Sequence, residues 1–485
     1  MHEPAQASSM GARAAARAPS HRPAPLKKQP DFTQAVRQEL VDWRAWRDRA
    51  VVLAYAVAAG LAVVGFTMLS ELALEGFGAL RTLHPLLPLV WMPALTAALV
   101  WVTLRWMPGA AGSGIPQVLA ALDTRTSPSQ RGLFVSLRLS VAKLVLASGA
   151  LLAGLSAGRE GPSVQVAAGV MLHARRWLPS RSSVTDHGLL IAGGAAGIAA
   201  AFNAPLAGVV FAIEELSRKI ENRNSGLIIT AIVLAGLVAV SAFGNSTYFG
   251  VIRVGRLDSG VLLPGLLVVL CAGLLGGLFS RLLIVSMVGA PDRFCALRRR
   301  HPVRFAAGCG FVVALIGIVS GGLTYGSGYD ETKGLLNGDA GLPVLFVLLK
   351  FVSTWLSTWS GVPGGIFAPS LSVGAGIGAD IAQLTGSPAG AALIAIGMAG
   401  FLAAVTQAPI TAFIIVMEMV DGHAMVLSLM AAALGASGVS RLLSRPLYAE
   451  LAELQLRRLP AVPSTMPPDS GTATTAFQDS APTRP

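Results

Sequence analysis

An ionisable pair lies within a long apolar stretch, in the sequence Gly158-Arg159-Glu160-Gly161-Pro162. The surrounding run, from about 133 to 174, is mostly apolar. An ionisable side chain at membrane depth is costly, and it is by default a functional-site hypothesis. A carboxylate there can exchange protons, and in its charged form it is itself an anion. We therefore interpret Glu160 as a gate on an anion path.

Three stretches share the pattern Gly-x-x-x-Pro, and each precedes an apolar helical segment: 112–116, 158–162 and 365–369. Proline is favoured in the first turn of a helix, and glycine permits the unwound backbone that leads into it. The pattern thus predicts three helix N-termini, although any one alone could be a helix-packing turn. Such ends present unpaired N–H groups and favour anions. Three ends that point at one place would bind an anion weakly enough to release it.

These motifs must be positioned by helices that cross a membrane. The chain has 485 residues, of which 53% are hydrophobic and 13% are charged, and its mean hydropathy is +0.63. A soluble protein carries about 25% charged residues, so the composition predicts a polytopic, all-α membrane protein. Apolar windows of spanning length, roughly 20 residues, occur near 50–76, 85–107, 133–156, 225–245, 260–290, 302–322, 340–360 and 424–443.

Two further apolar stretches, 188–217 and 388–419, each contain a proline near the middle. Each stretch is therefore predicted to break into two shorter helices. Irregular backbone at membrane depth is tolerated only where protein or a water-filled path covers it. These broken helices are thus expected to line a path.

The net charge of +12 is placed as in a membrane protein. Nine of the 37 basic residues lie in the first 49, and other clusters follow at 175–181, 218–223 and 293–304. This pattern is typical of the positive-inside rule, and it predicts that both termini are cytoplasmic. Aromatic residues do not interleave with the basic runs, which argues against nucleic-acid binding.

The chain ends are predicted to be tails. Residues 1–33 have the composition of a disordered cytoplasmic tail rather than a transit peptide. Helical spacing of apolar residues over 32–49 predicts an amphipathic helix at the inner surface. Residues 34–458 are predicted to form one transport domain. Residues 459–485 are predicted to be disordered, and they are too few for a soluble regulatory domain.

The chain also repeats a pattern within itself. Placing Pro162 over Pro369 aligns 157–169 with 364–376, and placing Pro205 over Pro409 carries Glu214 onto Glu418. Chance similarity between small-residue helices is the alternative. Duplicated halves with matching broken helices indicate a transporter site between the repeats, about 50–245 and 258–446. Glu160 falls opposite Phe367, so the carboxylate is an asymmetric feature of a repeated scaffold.

Five ordered motifs resemble the CLC family of chloride channels and proton-coupled chloride antiporters, in its bacterial form without CBS domains. They are GSGIP at 112–116, GREGP at 158–162, AAAFNAPLAG at 199–208, GGIFAP at 364–369 and Pro446-Leu447-Tyr448. The resemblance implies a fold of two inverted repeats of tilted and often broken helices. It further implies a homodimer with one anion path per subunit, and no cofactor or metal.

The same resemblance implies which residues bind chloride. They are the Ser113 and Tyr448 hydroxyls and the backbone N–H groups of Ile366 and Phe367. The loop glycines Gly114, Gly161 and Gly365 would support this site. Without the family, the two hydroxyl residues would be a helix cap and an interfacial aromatic. Serine in GSGIP resembles the chloride-preferring members rather than the nitrate-preferring ones, and the motifs do not depart as those of fluoride-specific members do.

Two glutamates are implied to carry protons. Glu160 resembles the family's gating glutamate and external proton acceptor, and an ion pair with Arg159 is the alternative. Glu215 matches the internal proton-transfer glutamate of the antiporters, although as a bare residue it would be a solvated helix-end charge. Glu214 and Glu418 are interpreted as structural, as groups that hydrogen-bond to loop backbone.

The sequence therefore predicts a transporter, not an enzyme, that exchanges chloride for protons across a bacterial-type inner membrane. A passive chloride channel gated by Glu160 is the alternative. A hydrolase with Ser113 as nucleophile would need an adjacent base, and no histidine stands in a recognisable pairing motif. Lys143 and Lys350 lie in apolar runs, where they could raise the potential for anions or snorkel to an interface.

Overall fold

The described part of the chain is mostly helical. A computed structural model describes residues 43–217, 225–244, 247–252, 259–338 and 342–459, and no β-strand occurs among them. The predicted all-α class is confirmed. The predicted tails lie outside the described residues, apart from Leu459, as does most of the predicted surface helix at 32–49. By packing, the described chain from Asp48 onward forms one compact unit.

Nineteen α-helices occur in the described part of the chain. In the first half they are α1 Trp43–Leu83, α2 Pro88–Trp106, α3 Ile115–Leu122, α4 Pro128–Arg131, α5 Leu137–Leu152, α6 Glu160–His173, α7 Asp186–Ala201, α8 Pro205–Phe211 and α9 Ser225–Phe243. In the second half they are α10 Leu262–Val288, α11 Arg293–Arg300, α12 Pro302–Val319, α13 Tyr329–Asn337, α14 Phe346–Trp359, α15 Phe367–Thr385, α16 Gly390–Thr406, α17 Pro409–Met419, α18 Val426–Arg441 and α19 Leu447–Leu456.

Six of the eight predicted windows coincide with helices that are long and apolar enough to cross a membrane. They are α1, α2, α9, α10, α12 and the segment His423–Arg441, which contains α18. Many large apolar side chains on these helices are exposed, for example along α10. Exposed apolar faces of this length suit contact with lipid or with another helix.

The windows at 133–156 and 340–360 form shorter helices than the sequence predicts. Helix α5 has 16 residues and α14 has 14, so they are about 24 and 21 Å long, less than the roughly 30 Å of a bilayer core. Their apolar sequence continues past the helix into a loop. The loops turn at glycines with positive φ, Gly154 at 83° and Gly361 at 90°. Each loop leads into a Gly-x-x-x-Pro motif.

The two proline-containing stretches are broken as predicted. The first consists of α7 and α8, and the second of α16 and α17. The breaks fall at Asn203 and Gln407, non-glycine residues with φ of 53° and 58°. Each break lies two residues before a proline. Proline disfavours helical backbone at the residue that precedes it. The predicted helix starts are also confirmed, because Pro116, Pro162 and Pro369 all lie in a first turn.

The centre of the fold is built twice from the same kind of helix pair. Helix α6 packs on α7 in the first half, as α15 packs on α16 in the second. These four helices are buried along most of their length and belong to the larger of two apolar clusters. The N-terminal ends of α6 and α15 carry the candidate site.

Candidate functional site

The loops of the three Gly-x-x-x-Pro motifs meet through backbone hydrogen bonds. Gly158 and Gly365 exchange two of them, with N···O distances of 2.8 and 2.7 Å. The N–H of Gly364 donates to the carbonyl of Gly112 at 3.1 Å. The loops that start α3, α6 and α15 therefore lie side by side, although they are far apart in sequence.

Glycine is required where these loops touch. A Cβ added to Gly161 would lie 2.3 Å from the Ser113 hydroxyl oxygen, and one added to Gly114 would lie 2.8 Å from the Gly161 carbonyl oxygen. A Cβ on Gly365 would lie 3.0 Å from the N–H nitrogen of Gly161. Gly114 also has a φ of 108°, which side-chain-bearing residues rarely adopt. The three predicted support glycines thus hold the helix starts in close contact.

Two buried hydroxyl groups face this junction. Ser113 is 7% exposed and lies just before α3, and Tyr448 is 1% exposed and lies in the first turn of α19. The two are close enough to interact, yet neither hydroxyl has a hydrogen bond of ordinary length within the described residues. Buried hydroxyls are normally paired, so two orphaned donors in one place suit an acceptor that the chain does not itself supply.

The predicted backbone donors lie in the same region. Ile366 is the N-cap residue of α15 and Phe367 is its first helical residue, so their N–H groups have no acceptor within the helix. The Phe367 ring stacks on the Tyr448 ring, with centroids 6.0 Å apart and planes 12° apart. The stack brings the hydroxyl-bearing helix α19 onto the N-terminus of α15.

The carboxylate of Glu160 lies on the helix ends rather than in solvent. Glu160 is 1% exposed and is the first residue of α6. Its Oε2 would be 2.2 Å from a Cβ on Gly158, so the side chain folds back over its own loop. Backbone N–H groups of Glu160 and Ala368 face the carboxylate, while Oε2 has no hydrogen bond within the described residues. The Glu160 side chain thus occupies a place where helix dipoles favour an anion.

Arg159 does not form the ion pair with Glu160 that was the alternative reading. Its guanidinium hydrogen-bonds to the Glu71 carboxylate at 3.2 Å and to the Tyr248 hydroxyl at 3.4 Å. It also lies over the Tyr248 ring, 5.8 Å from the centroid. The arginine therefore contributes positive charge near Glu160 without holding its carboxylate.

A cavity of about 1000 Å³ reaches the Glu160 side chain. Charged side chains of both signs line it, including Arg159, Arg81 and Asp330. A carboxyl group that borders such a cavity can exchange a proton with it.

Glu214 and Glu418 hold the two repeats together. Each carboxylate accepts two backbone hydrogen bonds from the first turn of a helix in the opposite repeat, so the predicted structural role is confirmed. The donors are Leu206 and Ala207 for Glu418, and Ile410 and Thr411 for Glu214, at distances of 2.6 to 3.2 Å. Carboxylates at helix N-termini are favourable both as hydrogen-bond acceptors and as charges.

Glu215 lies directly after one of these anchors. It is half-buried in a π-helical turn, Ala212–Leu216, that follows α8. Such turns occur often at functional sites. The Tyr448 hydroxyl is within electrostatic range of both Glu215 and Glu160. The two predicted proton-carrying residues thus share a neighbour at the junction.

The two lysines in apolar runs do not snorkel to an interface. Lys143 and Lys350 are fully buried. Lys143 donates to the carbonyls of Ala110 and Gly112, and Lys350 donates to carbonyls of 324–326 at 2.9 to 3.3 Å. The lysines are 207 residues apart, the same spacing as Pro162 and Pro369. Sequence reasoning missed that they are repeat mates, which this spacing alone could have revealed.

The loop held by Lys350 is a second Gly-Ser-Gly motif, which sequence reasoning also missed. Gly326-Ser327-Gly328 precedes α13 as Gly112-Ser113-Gly114 precedes α3, and the letters GSG recur as the signal. The first glycines have φ of 69° and 61°, and the second ones 108° and 82°. Ser327 is half-buried and lines the cavity rather than the junction.

No described side chain pairs a base with Ser113, because its hydroxyl oxygen has no ordinary hydrogen bond within the described residues. A serine nucleophile needs such a base. The geometry suits binding of a small anion by hydroxyl and backbone donors.

Known proteins share both the sequence and the fold. A family model described as "Voltage gated chloride channel" matches residues 94–441. The "H(+)/Cl(-) exchange transporter ClcA" of Vibrio parahaemolyticus is 32% identical over 368 residues, which are 73% of this chain and 76% of the relative. The protein of the same name from Klebsiella pneumoniae is 31% identical over 389 residues, which are 76% of this chain and 80% of the relative.

Solved structures have the same fold. That of "a slow cyanobacterial Cl-/H+ antiporter" has a TM-score of 0.73 and 25% identity, and the match covers 85% of this chain and 98% of that one. That of "a CLC-type fluoride/proton antiporter" has a TM-score of 0.69 and 21% identity, over 87% of this chain and 99% of that one, and shows the fold alone. The family that the motifs resemble is thereby confirmed. This chain is a multi-pass membrane protein that belongs to the voltage gated chloride channel, or CLC, family.

Proposed function

We propose that this protein exchanges chloride for protons across the membrane. The observation that carries the proposal is the pair of buried, orphaned hydroxyls at the meeting point of three helix starts, beside a buried carboxylate. Relatives named as H(+)/Cl(-) exchange transporters support the choice of ions. The central chloride would accept hydrogen bonds from Ser113, Tyr448 and the N–H groups of Ile366 and Phe367.

Glu160 acts in this proposal as the gate and as the external proton acceptor. When charged, it occupies the helix ends that favour an anion and excludes chloride from them. When protonated, it loses that attraction and swings into the cavity, so chloride takes its place. Like charges disfavour each other, so chloride binding and protonation of Glu160 promote one another.

Glu215 acts as the internal proton acceptor. Its support is its place in the π-helical turn and its electrostatic proximity to Tyr448. The anchoring of Glu214 on α17 fixes the backbone next to it. Protons would pass between Glu160 and Glu215 past Tyr448, while chloride passes between the hydroxyls.

Family membership supports a proposal for the assembly and the membrane placement of this protein. We propose a homodimer with one anion path per subunit, in the inner membrane with both termini cytoplasmic. The exposed apolar faces of the spanning helices suit contact with lipid and with a second copy. Residues 34–458 would form the transport domain, and repeats of about 50–245 and 258–446 would each supply half of the path.

The test uses purified protein in liposomes, with chloride and proton fluxes recorded together. The wild-type protein should move both ions, and Glu215→Gln should retain chloride flux while its proton flux falls to the background leak. Glu450→Gln, on the same helix as Tyr448 and paired with the exposed Arg445, serves as a matched loss of carboxylate and should keep proton flux. Proton flux in Glu215→Gln at the wild-type rate would contradict the role of Glu215.

A further inference from the structure

A bridge of charged groups joins the two helices that carry the orphaned hydroxyls. The Arg125 guanidinium donates to both carboxylate oxygens of Asp123, at 2.9 and 3.0 Å. It donates at the same time to the Glu453 carboxylate at 2.8 Å. Asp123 is the residue that ends α3, and Glu453 lies on α19. We call these three residues the Arg125 bridge.

The turn that carries Arg125 is fastened to α3. The backbone N–H of Arg125 donates to the Asp123 carboxylate at 2.8 Å, and the N–H of Thr126 donates to the Asp123 carbonyl at 3.0 Å. The buried Thr126 hydroxyl donates to the Ala120 carbonyl at 2.6 Å. A movement of Arg125 therefore moves the end of α3 with it.

The bridge and the hydroxyls lie on the same two short helices. Helix α3 has eight residues, so its ends are about 12 Å apart, with Ser113 just before one end and Asp123 at the other. Glu453 follows Tyr448 by five residues on α19, or about 7.5 Å along the helix. The two helices pack on each other. Each helix is short enough to move as a rigid body between its bridge residue and its hydroxyl.

We propose that Arg125 is a positioning residue that sets the spacing of the Ser113 and Tyr448 hydroxyls by tying α3 to α19. This inference rests on the proposed chloride site, because the bridge can affect anion binding only if these hydroxyls bind the anion. Arginine suits this purpose, since its planar fork grips one carboxylate with two N–H groups and leaves others for a second.

The exposure of the bridge limits its strength. The Arg125 side chain is 58% exposed, and those of its two partners are 27% and 34% exposed. Exposed ion pairs are weak, because water and salt screen them. The bridge therefore biases the spacing of the hydroxyls and opens readily when an ion passes. Its loss should alter anion affinity modestly rather than stop transport.

The first measurement compares Arg125→Gln with Arg457→Gln. Arg457 also contacts Glu453, at 3.4 Å, but it lies directly after α19, and within the described residues no hydrogen bond or ion pair joins it to α3. We expect Arg125→Gln to raise the chloride Kd by about two- to fivefold, as measured by calorimetric titration of purified protein with potassium chloride. The same variant should raise the KM for chloride in liposomes by that factor and keep the wild-type rate at saturating chloride. Arg457→Gln should leave both constants unchanged.

The second measurement is a double-mutant cycle of Arg125→Gln and Glu453→Gln. The combined variant should have a chloride Kd no higher than the higher of the two single-variant values. Both substitutions remove the same connection between α3 and α19, so their effects should not add. Additive effects would overturn the proposal. So would a wild-type Kd in Arg125→Gln, including one accompanied by a lowered melting temperature, which would make the bridge merely structural.

These outcomes are separable from the proposed exchange. If the wild-type protein binds chloride but moves no protons, the proposed exchange is contradicted. The comparison of chloride Kd values would still test the Arg125 bridge. Wild-type protein that binds no chloride would overturn both.

Discussion

The loops before α3 and α13 are built alike and differ in what they face. Both read Gly-Ser-Gly, both have two glycines with positive φ, and both hydrogen-bond through carbonyls to a fully buried lysine. Ser113 lies at the buried junction of the three helix starts, whereas Ser327 lines the cavity. One scaffold thus supports two different environments.

The residues after the loops explain the difference. Helix α3 begins with the uncharged Ile115-Pro116-Gln117, and α13 begins with Tyr329-Asp330-Glu331. Carboxylates in a first turn complement the helix dipole, so α13 provides its own anions where α3 leaves the site to a ligand. A second asymmetry places Glu160 opposite Phe367. Glycine, proline and lysine recur in both repeats and form the shared scaffold. The residues to which we assign a function, such as Glu160, differ between the repeats.

Removal of Glu160 should produce the largest effect, because this residue has no counterpart in the second repeat. Glu160→Gln should lose proton flux to the background leak, retain chloride flux, and lose the dependence of that flux on pH. Its neutral side chain mimics the protonated gate. Flux recordings in liposomes check this, with Glu71→Gln as the control, since the Glu71 side chain is 54% exposed and its carboxylate pairs with Arg159. Retained proton coupling in Glu160→Gln would contradict the account.

Substitutions of the two buried lysines test whether the two repeats are alike in stability but differ in chloride binding. Lys143→Met and Lys350→Met should each lower the free energy of unfolding by about 1–3 kcal/mol, because each leaves buried carbonyls unpaired. Only Lys143→Met should also weaken chloride binding, by about tenfold, because only Lys143 hydrogen-bonds to the Gly112 carbonyl next to Ser113. Denaturation and calorimetry check these values. Equal chloride affinities in the two variants would contradict the asymmetry.

Substitutions of the two anchoring glutamates, Glu214 and Glu418, should have more nearly equal effects on stability. Glu214→Gln and Glu418→Gln each lose charge-assisted hydrogen bonds to a helix N-terminus, which should cost about 0.5–2 kcal/mol of stability. Because Glu214 lies next to Glu215, only Glu214→Gln should also change the ratio of chloride to protons transported. Melting curves and paired flux recordings measure the two effects. An identical ratio of chloride to protons in the two variants would contradict a positioning effect of Glu214.

The smallest effect concerns pH. A hydrogen bond from Arg125 holds the pKa of Asp123 below its usual 3.8 and that of Glu453 below 4.5. A lowered pKa means that the stabilisation is complete above the unfolded value and is lost as pH falls through the folded one. The ratio of chloride Kd between Arg125→Gln and wild type should therefore stay constant from pH 5 to 8. Calorimetry at three pH values checks this, and a ratio that varies across the range would contradict it.

Local sequence predicted the helix starts and breaks because proline and glycine act on their own neighbours. Pro205 and Pro409 break their helices wherever the rest of the chain lies, and Pro116 begins one. The shortness of α5 and α14 was not predictable from hydropathy, since their apolar sequence runs on into loops that turn at Gly154 and Gly361.

Contacts between the repeats were beyond local reasoning. The repeat alignment places Gly158 opposite Gly365, but it does not reveal that the two glycines hydrogen-bond to each other. The exchange of anchors by Glu214 and Glu418 likewise depends on tertiary packing. The Arg125 bridge joins a loop to a helix more than 300 residues later. The family resemblance predicted the chloride and proton residues, and their roles stay predictions.

The reversal potential of wild-type protein in a planar bilayer tests the central claim most directly. With equal chloride on both sides and a pH gradient, coupled exchange predicts a non-zero reversal potential that shifts with the gradient. A passive chloride channel would give a reversal potential of zero at every pH gradient, and that result would contradict the exchange of chloride for protons.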